Sequence, residues 1–331
     1  MGFKIQGHGW CVPQECVSTD VLAFKYGLDA ASLNLRPGVK TRYFVSDESQ
    51  LDLGVRAAQL ALERANLSVE DVDLVISACA VPYQPIPNMS HMLACSLGIP
   101  DGQVEAMDVN MTCLSFLSAL DVADMMIETG RAHRVLIVSS EVASRGLPWE
   151  TNPEVAAHFG DGAAAFVLSK GKTRVLARKF KAFTQSWKTC QLGSGGTRFD
   201  FDTQRAEFEA HCKFDMSGKE LFKLTFAHFP KFVSDLWGQA GVEDVDRIVA
   251  HQASPLALRH LSKKFNWDDV KMPSFCEDYG NMIAASLPFV WSKMLEEGQI
   301  SPGMKLALLG TSAGVSFGGM VVEMGDDTCG F

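Results

Sequence analysis

A chain of 331 residues is too long for one small domain and suits two packed halves. Its composition, 47% hydrophobic and 21% charged, provides a large core without metal or disulfide staples. A formal net charge of −9 excludes a general nucleic-acid binder, which carries a basic face.

In chain order, the start Met1-Gly-Phe-Lys-Ile-Gln6 lacks the apolar stretch of a secretory signal, and Gln6 stands where N-myristoylation wants Ser or Thr. A helical segment over 53–65 leads into Val69-Glu-Asp-Val-Asp73 and the buried strand Leu74-Val-Ile76. Residues 104–109 read as a strand, after which Cys113 opens an apolar helical run that Gly130 terminates. Asp121, Asp124 and Glu128 form one narrow polar stripe on that run, so the helix is packed nearly all round. The strand Val135-Leu-Ile-Val138 follows, then the turn and strand Gly160-Asp-Gly-Ala-Ala-Ala-Phe-Val-Leu168, whose Gly160-Asp161-Gly162 reads as a packing turn. The basic stretch at 171–180 marks a boundary, giving halves 1–172 and 173–331. Beyond it come a helix over 221–240, Val242-Glu-Asp-Val-Asp246, the strand Ile248-Val-Ala250, and a helical run from Asn281 to Gly298. The strand Leu306-Ala-Leu-Leu309 and a glycine-rich turn into Met320-Val-Val322 close the chain.

The two halves repeat each other. Val69-Glu-Asp-Val-Asp73 recurs at 242, a shift of 173 positions, with a helix before it and an apolar strand after it in both copies. The runs ending at Gly130 and Gly298, the strands after them and the glycine-rich turns follow in the same order. Alternation of strand and helix predicts an α/β fold with mostly parallel, covered sheets. The nine cysteines are odd in number and contain no C-x-x-C pair, so they read as free thiols of a reducing cytoplasm, with no metal site. No apolar run approaches the roughly 20 residues of a membrane span, so a soluble cytoplasmic protein is expected.

Three residues are placed for chemistry. Cys113 lies at a helix start, where unpaired N–H groups and the helix dipole favour the thiolate that accepts an acyl group. Taken alone, it reads first as a buried structural cysteine. His251 ends a strand whose counterpart in the first half ends on Ala78, and alone it reads first as a structural histidine. Asn281 stands at the repeat position of Cys113, where the plain reading is an N-cap. Twofold pseudosymmetry brings the two helix starts together, so thiol, imidazole and carboxamide are expected around one pocket. The run at 310–319 lacks the Gly-Lys-Ser/Thr of a phosphate loop and reads instead as a turn offering N–H groups to an oxyanion.

At this point the chain resembles the β-ketoacyl-acyl-carrier-protein synthase III family of the thiolase superfamily, end to end. The matching stretches are Arg36-Pro-Gly-Val-Lys-Thr-Arg42, the Cys113 segment, Phe159-Gly-Asp-Gly162, His251-Gln-Ala253, Gly280-Asn281 with Ala284-Ala-Ser286, and the closing glycine-rich turn. The resemblance implies a five-layered α-β-α-β-α fold and a homodimer. It implies no tightly bound cofactor, only coenzyme A or phosphopantetheine thioesters as substrates. Cys113 would take an acyl group from acyl-CoA or an acyl-carrier protein. His251 and Asn281 would hold the enolate left when a malonyl thioester loses CO₂, and the backbone amides of Cys113 and Ala313 would form the oxyanion hole. Arg36 and Ser254 would lie against the substrate or its carrier.

The family usually has Trp where this chain has Ser32, Arg where it has Pro153, and Asn where it has Ser254. The first two grip the coenzyme A adenine, so a specialised relative is expected, outside the acetyl-CoA priming step of fatty acid synthesis. Arg259, Lys263 and Lys264 share a helix face, and Lys219 and Lys223 lie at i and i+4 in the helix before it. They read as solvated faces or, equally, as a dock for an acidic carrier protein. Two other functions stay open: acyl transfer or condensation without malonyl decarboxylation, and a non-catalytic partner subunit that keeps the fold.

Overall fold

A computed structural model describes residues 2–35 and 37–328. Arg36, expected at the substrate, lies outside the described residues. Five strands form the first sheet: β1 (Phe3–Cys11), β2 (Leu74–Ser77), β3 (Glu105–Asp108), β4 (Arg134–Glu141) and β5 (Gly162–Lys170). Their order is β1-β5-β4-β2-β3. The second sheet holds β6 (Arg174–Ala182), β7 (Arg247–Ala250), β8 (Lys305–Ser312) and β9 (Ser316–Glu323), in the order β7-β8-β9-β6. Only β2 with its two neighbours and β7 with β8 pair in parallel; the rest are antiparallel. The expectation of mostly parallel sheets is thus corrected. The three-residue turn at 313–315 between β8 and β9 is too short for a crossover and can join only antiparallel neighbours.

The main helices are α1 (Gln50–Ala65), α2 (Ser115–Glu128), α3 (Gly218–Ala240), α4 (Pro255–Phe265) and α5 (Ser286–Glu296). One core cluster joins α2 and α5 to facing strands of both sheets, through residues such as Leu117, Phe166, Trp291 and Met320, all at 0% exposure. A second packs α3 and α4 on the outer face of the second sheet, and a third packs α1 on the outer face of the first. The layers therefore run α-β-α-β-α, as the resemblance implied. Helix α2 is buried on nearly all sides because it is the filling between two sheets.

The basic stretch after Lys170 is a strand, not a linker; only residues 171–173 connect the sheets. Arg178 of β6 reaches inward to Asp121 and Asp124 of α2, both at 2.8 Å, while Lys179 and Lys181 reach outward to Asp235 of α3 at 3.2 and 3.8 Å. Alternating charges with partners on both faces suit an edge strand. Desolvation raises the Asp124 carboxyl above its usual range despite Arg178, so this pair fixes register more than it adds stability.

The repeat is exact in geometry but not where the helix ends placed it. Asn110 Oδ1 accepts the Thr112 N–H at 2.9 Å, Asn110 Nδ2 donates to Ala80 O at 2.9 Å, and the Met111 N–H donates to Ser115 Oγ at 2.9 Å. In the second half Asn281 Oδ1 accepts the Ile283 N–H at 2.8 Å, Asn281 Nδ2 donates to Ala253 O at 3.3 Å, and the Met282 N–H donates to Ser286 Oγ at 3.0 Å. Thr112 and Ile283 share the left-handed conformation, with φ of 49° and 50°. The counterpart of Asn281 is therefore Asn110, and that of Cys113 is Ala284. Helix α5 has 11 residues against 14 in α2, so counting back from the terminal glycines misaligned the starts by three positions. The helices also begin later than expected, at Ser115 and Ser286, each after an elbow.

Candidate active site

Both elbows point toward the interface between the halves, and the second-half elbow is anchored on the first half. The Asn281 N–H donates to His158 O at 2.8 Å, and the Gly160 N–H donates to Asn281 O at 3.1 Å. A Cβ on Gly160 would fall 2.2 Å from Tyr279 O, and one on Gly162 would fall 2.3 Å from Met282 Sδ. The Gly160-Asp161-Gly162 turn is thus a close-packing surface on which the Asn281 loop rests. Buried Asp161 steadies it by accepting from the Val45 N–H at 3.0 Å and the Ser144 N–H at 2.9 Å. Fully buried Arg42 ties the same region together, donating to Thr19 Oγ1 at 2.8 Å and to the carbonyls of Val39 and Ala157.

His251 follows β7, its N–H bonded to Leu309 O at 2.8 Å on the neighbouring strand. Buried Gln252 fastens this corner to the segment leading to Asn281, accepting the Phe275 N–H at 2.9 Å. Gly310 lets the corner approach α2. A Cβ there would fall 2.8 Å from Leu114 Cδ2 and 2.9 Å from His251 Cβ, so any larger residue would push His251 away from Cys113's neighbour.

Cys113, His251 and Asn281 line one cavity of about 590 Å³, together with Ser254 and Ala313. That size is within the usual range for small-molecule sites. His251 is 6% exposed, and burial lowers its pKa to about 4. The imidazole is therefore neutral and carries one N–H to donate, with Nδ1 buried and without a hydrogen-bond partner among the described residues. The Asn281 amide uses one N–H on Ala253 and keeps a second.

The thiol departs from expectation. Burial, and after it the carboxyl of Glu141, push the Cys113 thiol up to about 12, while the N–H groups of Ala313 and of Cys113 itself act on the sulfur in the opposite sense. The resting group is a thiol, not the expected thiolate. The helix begins two residues later, so its dipole does not outweigh an apolar cavity. The same observation puts the two backbone amides expected to form the oxyanion hole at the sulfur.

Glu141 was not singled out in the sequence. It is 1% exposed at the end of β4, accepts from the N–H groups of Ala80, Val81 and Ala284, and is raised to about 8, chiefly by burial. A charged residue closing the apolar run from Val135 was its only signal. Asn110 had a clearer one, since Asn-Met-x-x-x-Ser occurs at both 110–115 and 281–286.

The expected binding residues are more scattered. Ser254 lines the cavity, but its hydroxyl caps α4 by accepting the Ala257 N–H at 3.1 Å. Arg259 is engaged by Glu277 at 3.2 Å. Lys264 lines the outer cavity with its Nζ 5.6 Å from the Phe226 ring, while Lys263, Lys219 and Lys223 are exposed on α4 and α3.

Buried titratable groups give the fold a pH dependence of definite sign. His8, His158 and His251 are all lowered to about 4, primarily by burial. The unfolded chain binds their protons near pH 6.5, so their stabilisation is complete above 6.5 and is lost as pH falls toward 4. Glu141 acts oppositely. Its folded carboxyl titrates at about 8 against an ordinary 4.5, so its contribution is complete below 4.5 and lost as pH rises toward 8. Asp124 and Asp161, also raised by burial, act in the same sense as Glu141. Above pH 6.5 the histidine contributions are complete while that of Glu141 is still being lost, so stability is expected to fall from pH 6.5 to 8, by up to about 1.4 kcal/mol per pH unit for each net proton. Urea midpoints at about pH 5, 6.5 and 8 check this, and a midpoint still rising at pH 8 contradicts it.

Comparison with known proteins agrees with the geometry. The family model described as 3-oxoacyl-[acyl-carrier-protein (ACP)] synthase III matches residues 107–184, and its C-terminal model matches residues 238–324. β-Ketoacyl-[acyl-carrier-protein] synthase III of Neisseria gonorrhoeae is 31% identical over 324 residues, covering 97% of this chain and 98% of the relative. The crystal structure of 3-oxoacyl-[acyl-carrier-protein] synthase III from Aquifex aeolicus VF5 superposes with a TM-score of 0.86 at 28% identity, covering 97% of this chain and all of that one. Xanthomonas campestris OleA, crystallised with lauric acid and lauroyl-CoA, has a TM-score of 0.84 at 23% identity and shares the fold. With the layers, the paired elbows and end-to-end identity in agreement, this chain belongs to the 3-oxoacyl-[acyl-carrier-protein] synthase III family, a thiolase-fold family of acyltransferases.

Proposed function

We propose that this protein condenses an acyl group held on Cys113 with a malonyl thioester, releasing CO₂ and a β-ketoacyl thioester. The observation that carries the reading is the meeting of Cys113, His251 and Asn281 in one cavity with the Ala313 amide at the sulfur. In the first half-reaction Cys113 sulfur attacks the donor thioester carbonyl. The N–H groups of Cys113 and Ala313 hold the tetrahedral oxyanion, and the thiol proton leaves with the departing thiol of coenzyme A or carrier protein. In the second, the malonyl thioester loses CO₂ and its electron pair passes to the thioester oxygen as an enolate. A neutral imidazole and a carboxamide stabilise that oxygen by hydrogen bonding, each without surrendering a charge. The enolate carbon then attacks the acyl-Cys113 carbonyl, the C–S bond breaks, and the sulfur leaves as a thiolate that takes one proton from water to regenerate the thiol. Coenzyme A and phosphopantetheine enter as parts of the substrates, and the chemistry calls for no resident cofactor.

The test combines intact mass with release of labelled CO₂. Incubation with acyl-CoA or acyl-carrier donors is expected to add one acyl mass on Cys113, and a malonyl thioester is then expected to remove it with stoichiometric CO₂. Absence of any adduct would leave the non-catalytic subunit. An adduct discharged without CO₂ would leave transfer to another acceptor.

A further inference from the structure

Glu141 takes no part in the chemistry proposed above, yet its carboxyl meets the supports of both elbows. It closes β4 in full burial and accepts the Ala80 N–H at 2.5 Å, with the N–H groups of Val81 and Ala284 directed at the same carboxyl. Ala80 is where the first elbow hangs, since its carbonyl takes the Asn110 Nδ2 bond. The rest of that segment is fastened to β4 as well. Ser139 Oγ donates to Ala78 O at 2.8 Å, and Gln50 Nε2 donates to Val81 O at 2.8 Å and to Ser140 O at 2.7 Å. Ala284 belongs to the second elbow, next to the left-handed Ile283 and three places after Asn281. One side chain thus joins the mounting of Cys113 to the mounting of Asn281.

The repeat gives a reason for a carboxyl at this place. Strand register pairs Leu74 with Val135 in the first half and Arg247 with Leu306 in the second. Leu74 and Arg247 are equivalent under the shift of 173 positions, so β4 and β8 align with Glu141 in the place of Ser312 and Val142 in that of Ala313. At the first elbow the N–H groups of Cys113 and Ala313 meet at the sulfur. The second elbow repeats this corner with Ala284 for Cys113, but it has no nucleophile and no substrate to serve. A buried N–H left without an acceptor is unfavourable, and Glu141, with a longer reach than Ser312, brings one across from the other half. We propose that Glu141 is a positioning residue that clasps the second elbow to the support of the first, and so sets Asn281 against the acyl group on Cys113 for condensation. It touches no reacting atom and acts through Asn281. The inference rests on the proposed condensation, in which acylation uses the Cys113 and Ala313 amides while carbon–carbon bond formation needs both elbows.

The experiment follows the two half-reactions separately in Glu141→Ser and Glu141→Gln, by intact mass against time with acyl-CoA and then malonyl-CoA. Rate constants come from the time course, so protein that does not fold lowers the amplitude and not the rate. Glu141→Ser introduces the residue that the second half carries at this place. It is expected to slow discharge of acyl-Cys113 by about 10- to 100-fold, the scale of an ångström-sized misplacement, while acylation stays within about threefold. Glu141→Gln keeps the reach and one acceptor oxygen, and is expected to hold discharge within about threefold of the unaltered protein. Because Glu141 acts through Asn281, the double variant Asn281→Ala with Glu141→Ser is expected to discharge no more slowly than Asn281→Ala alone. Equal losses in both half-reactions, additive losses in the double variant, or normal discharge in Glu141→Ser would each overturn the proposal. An unaltered protein that labels Cys113 but releases no CO₂ from malonyl-CoA or malonyl-carrier protein would instead strike the proposed function itself.

Discussion

Cys113→Ala is expected to abolish both the acyl adduct and turnover, with a fall of about 10⁶ if Cys113 is the covalent nucleophile. The size follows from the covalent route: without sulfur there is no thioester to hold the first substrate while the second enters. Eight other cysteines are present. Cys79 and Cys276 are buried, and Cys16, Cys95 and Cys212 are exposed. Among the described residues Cys190 is the one other cysteine that lines the cavity, so the measurement must locate the adduct by peptide mass. Retention of the adduct on the intact variant would show that Cys113 is not the acceptor. Fold is not expected to confound the result, since Cys113 is only half-buried and Ala284 occupies the equivalent place on the second elbow.

Asn281→Ala and His251→Ala are expected to separate the two half-reactions. Each removes one hydrogen bond to the enolate oxygen, a loss of about 10² to 10³ in condensation rate for a single preorganised donor. Acylation of Cys113 uses the backbone amides instead, so adduct formation is expected to stay within severalfold of the unaltered protein. Pre-steady-state mass measurements would then show acyl-enzyme accumulating where the unaltered protein discharges it. Asn281 also holds its own elbow through the Ile283 N–H and Ala253 O, so Asn281→Asp provides a check. It keeps the acceptor for Ile283 but places negative charge where the enolate forms. Condensation at the normal rate in Asn281→Asp would exclude the carboxamide as an enolate donor.

The duplication explains why only one elbow carries a nucleophile. Both turns are built by the same Asn, the same left-handed residue and the same Ser, yet the position after the left-handed residue is Cys113 in one and Ala284 in the other. In the second half it is the Asn of the motif that lines the cavity, whereas Asn110 is exposed. A symmetric scaffold thus supplies an asymmetric site, with sulfur from one elbow and carboxamide from the other.

The amino-acid sequence by itself determined the family, the α/β fold class and the buried helix after Cys113, and it singled out the three groups proposed for the chemistry. Those rest on periodicity, a recurring motif and ordered residue types, which are local properties. It did not determine the register of the elbows, because a helix start is fixed by a side-chain-capped turn while the terminal glycines mark only where a helix ends. Nor did it determine sheet polarity, which depends on how short the β8–β9 turn is, or the strand within the basic stretch, whose charges find partners only across layers. The protonation state of Cys113 and the shape of the cavity around it belonged wholly to the tertiary structure. Desolvation and cavity shape are sums over residues distant in the chain, and no local pattern records them.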